Sequence, residues 1–222
     1  MKTHICRWFL VVFGVMSWGS YNSRGAVGPA TLAPGFYIGG GAGPNFLENT
    51  RLKQFVDPLT GVHVHFDPGV SFNIHGGYRF CEFFALEGQT GMDANSIRSI
   101  TGATSADANV YQVPFMANAV INLPTRSPLS LFMGAGAGGV ASVIDINDIT
   151  IPSIGSVFGT DTDVTFAYHA FGGIEYALND RMSVGAMYSY RSVQSPRWGR
   201  AVIVETGHLR NHSVTLGVNF HF

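Results

Sequence analysis

The chain has 222 residues, 13 Lys and Arg against 14 Asp and Glu, and only 12% charged residues. Soluble domains carry about 25%, so much of this exterior is not built to face water, and a basic nucleic-acid-binding surface is excluded. No segment after the N-terminus reaches the ~18 consecutive apolar residues of a membrane-spanning helix.

In chain order, Lys2 and Arg7 precede a short apolar run, Trp8 to Met16, and small residues follow at Ser17-Trp18-Gly19. This predicts a secretory signal peptide over residues 1–19, too short to span a bilayer as a helix. Residues 20–34 read as a periplasmic leader rich in Gly, Ala and Pro. Loss of the signal removes Cys6 and leaves Cys81 as the one cysteine, so no intrachain disulfide is expected.

Eight strand-like segments follow, at about 35–47, 69–80, 84–93, 109–123, 129–144, 164–177, 182–194 and from Ser213 to the end. Their period is two, with unlike faces. In the last segment Val214, Leu216, Val218, Phe220 and Phe222 share one face. Ser213, Thr215, Gly217, Asn219 and His221 share the other. An exposed Phe-rich edge strand is a hazard in water. In a membrane barrel it closes the ring against the first strand and faces lipid. The polar set throughout (Ser71, Asn73, Arg79, Glu87, Gln112, Asn118, Asn122, Glu175, Arg191, Asn219) lies opposite the aliphatic and aromatic set. Charges are costly in lipid, so the polar face belongs inside.

The connections alternate long and short. Long ones lie at about 48–68, 94–108, 145–163 and 195–210; short ones are Cys81-Glu82-Phe83, residues 124–128 and residues 178–181. Four outer loops and three tight turns are the topology of a bacterial outer-membrane barrel. Glycines recur at every second inner position, Gly39-x-Gly41-x-Gly43 and Gly134-x-Gly136-x-Gly138, which suits the strong curvature of a narrow barrel. The expected fold is all-β, an eight-stranded antiparallel transmembrane up-and-down β-barrel over residues 35–222.

The strand pattern, the fourth strand Val113-Pro114-Phe115-Met116-Ala117-Asn118 and the terminal Phe222 resemble the small outer-membrane barrels: the OmpA-type transmembrane domain, OmpX and the opacity proteins. The end of the chain also resembles the C-terminal signal read by the barrel-assembly machinery, with Thr215, Gly217, Phe220 and Phe222 at its positions. The resemblance implies bacterial outer-membrane localisation, outer-membrane lipid and the assembly machinery as partners, and a host or cell-surface ligand for the loops. Neither a cofactor nor a nucleic acid is implied.

Candidate chemistry is thin. His63-Val64-His65 with Asp57 and Asp67, and Asp161-Thr162-Asp163 with Asp145 and Asp148, hold residue types that bind metals, but without the fixed spacing of a metal loop. The lipid A deacylases resemble this architecture and carry a His-x-Ser element, which this chain lacks. Arg79, Glu87, Glu175 and Arg191 share the inward parity and form the expected lumen charge cluster, with Arg79 and Glu87 near each other across the first short hairpin. The functional expectation is a non-enzymatic envelope protein displaying four surface loops for adhesion or interaction. The alternatives are a secreted soluble barrel carrying a small hydrophobic ligand, or a narrow pore.

Overall fold

The computed structural model describes residues 33–222 except 56, 59–61, 126, 152–154 and 200–203; the signal-peptide expectation and most of the leader lie outside the described residues. Thirteen strands are seen among those described: β1 Gly35–Leu47, β2 Thr50–Phe55, β3 Asp57–Pro58, β4 His63–Phe66, β5 Gly69–Cys81, β6 Phe84–Ile100, β7 Ser105–Leu123, β8 Leu129–Ile151, β9 Gly155–Ala177, β10 Met182–Val193, β11 Arg197–Trp198, β12 Val204–Thr206 and β13 Leu209–His221.

Eight of them close a ring. Neighbours run β1-β5-β6-β7-β8-β9-β10-β13, every pair antiparallel. The last strand returns to the first, with Tyr37 opposite His221 and Leu47 opposite Asn211. Closure gives every strand two partners, which a bilayer demands because it offers no water to an unpaired N–H or C=O. The lipid face is apolar, as the alternation requires: Leu216 is 70% exposed and Phe222 82%. The inner glycines are close-approach positions. A Cβ at Gly138 would strike the backbone carbonyl of Phe115, and one at Gly39 the side chain of Asn219.

Two expectations need correction. The segments 94–108 and 145–163 are not loops. β6 runs on to Ile100, β7 starts at Ser105, and β8 and β9 continue to Ile151 and from Gly155. An antiparallel ladder satisfies its own backbone and continues into water wherever one face stays buried. Second, the first short hairpin is a two-residue turn, Glu82-Phe83. A register shift between Arg79 and Cys81 supplies the odd residue that keeps Phe80 and Phe84 together, ring centroids 5.9 Å apart.

Above the barrel the long connections fold into a second layer. β11, β12, β2 and β4 extend the sheet from the outer end of β6. Their inward side chains join those of the extended barrel strands in an apolar cluster. Leu52, Val64, Ile144, Ile146, Trp198 and Leu209 belong to it, each less than a tenth exposed. The expected polar interior therefore gives way to an apolar one at the top, and lower down its polar groups share the lumen with Val120, Phe132, Phe171 and Met187. Near the top the apolar residues change faces. On β13 the outward set ends at Val214 and Leu209 points in. On β8 the lipid-facing odd positions give way to inward Val140, Ile144 and Ile146. Below the change the exterior meets lipid; above it the exterior meets water, so the apolar face must turn inward.

Two outcomes follow. Leu216→Arg, near the middle of the lipid-facing run of β13, should destabilise the folded barrel by about 2–4 kcal/mol, and Tyr188→Arg near its outer edge by about 0–1 kcal/mol, in bilayer unfolding titrations. Trp198→Ala removes the largest fully buried side chain among the described residues and should open the cap to protease while leaving the heat-modifiable barrel band in electrophoresis unchanged; losses of order 3–5 kcal/mol accompany such truncations in a packed core.

Candidate functional site

Among the described residues, buried charge gathers in the barrel interior. Its layers follow from strand parity. Directly below the apolar cap, Arg191 on β10 forms an ion pair with Asp93 on β6, both almost fully buried. Asn211 on β13 donates to Asp93 (2.9 Å) and to Gln112 on β7 (3.3 Å). On the same wall Asn45 donates to Asn95 (2.6 Å), which in turn donates to the Asp67 carbonyl (3.1 Å).

Farther down, Glu87 on β6 accepts from the Tyr37 hydroxyl (2.9 Å) and from Asn118 Nδ2 (2.9 Å). His169 Nε2 donates to Asn118 Oδ1 at 2.6 Å, so this histidine is a buried hydrogen-bonding residue in the lumen. The Arg79 guanidinium lies over the Tyr37 ring, 5.2 Å from its centroid. In the lowest layer Glu175 on β9 accepts from Ser183 and from Asn219 (2.8 Å), with His221 Nε2 at 3.5 Å. Asn219 Oδ1 accepts from His75 Nε2 at 2.9 Å.

The four sequence-selected charges thus occupy two levels. Arg191 belongs to the upper level with Asp93. Arg79, Glu87 and Glu175 line one cavity of about 60 Å3 in the lower half, room for a handful of waters at about 10–15 Å3 each. Tyr37 stands between Arg79 and Glu87, with the guanidinium on its face and the carboxylate on its hydroxyl. The C-terminal residues divide by parity. Thr215 is buried in the lumen, where its hydroxyl accepts from Asn73 (3.4 Å), and Phe220 and Phe222 face outward. Gly217 lies opposite Gly41.

Sequence reasoning missed Asp93, Tyr37 and Trp198. Asp93 has the inward parity of Glu87 and Gln89 and was legible by counting. It stood at the assumed end of its strand. Tyr37 reads as a girdle aromatic until parity places it inside. Trp198 lies in a presumed loop, and nothing local announces that its indole donates to the Ser142 carbonyl at 2.7 Å.

Ser183, His221 and Glu175 invite comparison with a nucleophile–base–acid relay. The geometry does not fit one. Glu175 Oε1 meets the same imidazole nitrogen that meets Ser183 Oγ (3.0 Å), whereas a relay needs the carboxylate behind the other nitrogen. Ser183 is also fully buried. Among the described residues no group of three metal-ligating side chains converges; His63 and His65 flank the buried Val64 on β4.

A second cluster lies outside the ring, at its outer edge. His212 Nε2 donates to Glu48 Oε1 at 2.9 Å, and its Nδ1 meets the Tyr188 hydroxyl at 2.7 Å. Arg210 Nη1 reaches Glu48 Oε2 at 3.5 Å. The hydrogen bond from His212, helped by Arg210, holds the exposed Glu48 carboxyl below the usual carboxylate range.

The model of the outer membrane protein β-barrel domain matches residues 10–222. The chain belongs to this family. Its place is the bacterial outer membrane, which removes the soluble-carrier alternative. An uncharacterized protein of Brucella abortus (strain 2308) is 26% identical over 200 residues, covering 74% of this chain and 70% of that one. The outer membrane protein OprG from Pseudomonas aeruginosa is similar in structure, with a TM-score of 0.60 and 15% identity over 86% of this chain and 96% of its own. Neisserial surface protein A has a TM-score of 0.54 and 17% identity, covering 84% and 97%. These structural likenesses bear on the fold of this outer-membrane β-barrel family member.

Deleting one partner of the upper ion pair is the direct test of the lumen. Arg191→Ala leaves Asp93 buried without its cation and should destabilise the barrel by about 3–5 kcal/mol. The double change Arg191→Met, Asp93→Leu should recover most of that loss in the same unfolding titration.

Proposed function

We propose that this chain is a non-enzymatic outer-membrane protein whose barrel anchors a folded extracellular platform and does not conduct. The observation that carries this reading is the double closure of the lumen. Apolar side chains held by Trp198 and Leu209 fill its outer end, and hydrogen-bonded charge from Arg191–Asp93 down to Glu175–His221, with Val120, Phe132 and Phe171, fills the rest but for the cavity of about 60 Å3. Eight strands leave an interior that side chains just fill. Arg79, Glu87 and Glu175 act as the lower part of this plug. The Ser183–His221–Glu175 geometry, wrong for a relay, supports the non-enzymatic assignment.

Display is the other half of the reading. The β8–β9 hairpin, 23 residues in each strand, is far longer than the ~10 residues a bilayer crossing uses. It presents Phe158 at 79% exposure to the medium, a surface for adhesion to a host, a matrix or a neighbouring cell. Phe220 and Phe222 serve the assembly machinery as the terminal signal.

Planar bilayers decide the closed-lumen reading. The wild-type protein should give no steady porin-like current, and liposomes carrying it should not swell in isotonic small sugars. Large, long-lived conductance steps would overturn the plug. For display, cells expressing the full chain should bind a host or matrix surface, and a chain with the β8–β9 tip shortened to a tight turn should lose that binding while keeping its folded band.

A further inference from the structure

The apolar band on β13 has a definite height. From Phe222 up to His212, the first polar outward residue, are ten residues. At about 3.3 Å per residue and a tilt near 40° they rise ~25 Å, the height of the apolar belt of such barrels. His212 therefore stands at the level of the outer-leaflet headgroups. The inward turn of Leu209 three residues later marks the same boundary independently.

At that level the wall of β1, β13 and β10 carries a compact polar group on an aromatic base. Glu48 follows the end of β1, and its carboxylate ties Arg210 and His212 together. Phe46 lies opposite His212 in register, and Tyr190 lies opposite it on the other side. The rings of Tyr190 and Tyr188 come within 5.1 Å and 6.1 Å of the imidazole. Arg210 meets Glu48 through one nitrogen at 3.5 Å, and its side chain is 54% exposed. A guanidinium has five donors, so most of its capacity points into the headgroup layer. Exposed Arg51 and Lys53 on β2 extend the basic sector, with Lys53 3.5 Å from Glu205. Arg51, Lys53 and Arg210 are permanent cations, with Glu205 against Lys53 and Glu48 against Arg210.

The geometry points to a lipid-binding site: the phosphate headgroup of an outer-leaflet lipid seats on Arg210 beside His212, with its acyl part along Phe46 and Val214. A free anion would use only the cations. The aromatic wall directly below them fits an amphiphile, since tyrosine rings sit best at the headgroup level and basic side chains there attract anionic lipid. Glu48 has an orienting and a limiting role. It fixes His212 and competes with the phosphate for Arg210.

The test uses the full chain, folded in a neutral detergent and examined by native mass spectrometry with three probes: bis-phosphorylated lipid A, its dephosphorylated form, and inorganic phosphate. One retained phosphorylated lipid is expected, with at least tenfold weaker retention of the dephosphorylated form and no retention of inorganic phosphate. Arg210→Gln should weaken retention about tenfold and Glu48→Gln should strengthen it. Arg98→Gln, on β6 three strands away, should leave it unchanged. Heat-modifiability on gels confirms that each variant is folded. Equal retention of the phosphorylated and dephosphorylated lipids, equal retention by Arg210→Gln and wild type, or weaker retention by Glu48→Gln would overturn the site. Retention of inorganic phosphate as firm as that of the lipid would replace it by a simple anion site and overturn it as well.

Discussion

Closure of the backbone hydrogen-bond ring is the constraint on which everything else here depends. In hydrocarbon an unpaired N–H or C=O costs several kcal/mol, so β13 must find β1, and it does so from Tyr37–His221 to Leu47–Asn211. Once eight strands are tied in a ring, parity assigns every side chain to lipid or lumen. The inner glycines then become necessary, because neighbours such as Phe115 and Asn219 occupy the space a Cβ would take. The lumen chemistry follows in turn. Inward charges cannot reach bulk water, and they meet an opposite charge or hydrogen-bond donors: Arg191 with Asp93, Glu175 with Ser183, Asn219 and His221.

Two prolines show how firmly the ring holds. The β1–β13 pairing skips Gly43 and Pro44, and the β6–β7 pairing skips Gly91 and Met92 opposite Val113 and Pro114. Proline lacks the N–H a ladder uses. In each case the register resumes unchanged beyond the gap, because neighbouring pairs and the opposite edge of the strand hold it in place.

Much of this architecture was legible in the sequence because lipid and lumen differ so sharply. The alternation Val214 to Phe222 against Ser213 to His221 fixed both a strand and its facing. What the sequence hid has one physical origin. Strand recognition relied on an apolar outward face, and that face disappears above the bilayer. Ile97, Val110, Ile144 and Ile146 still alternate, with the opposite phase, so segments carrying polar residues outward passed for loops. Bulges between Ile146 and Ile149 and between Asp107 and Ala108 break the count further. The charge cluster suffered from the same cut: Arg191 was visible and its partner Asp93 was not, since the assumed strand ended there. Tyr37, which stands between Arg79 and Glu87, followed from parity alone.

The change of phase along β6, β7, β8 and β13 has a mechanical consequence. A barrel with a uniform exterior can ride up or down in a bilayer at small cost. Here, sinking deeper would bring Glu48, Arg210 and His212 into hydrocarbon, and rising would lift Phe46, Val214 and Tyr188 into water. Both displacements are resisted within one step of the alternation. In a thicker or thinner membrane the lipid around this protein must therefore stretch or compress to meet it, and the height at which the platform stands above the cell is set by the chain itself.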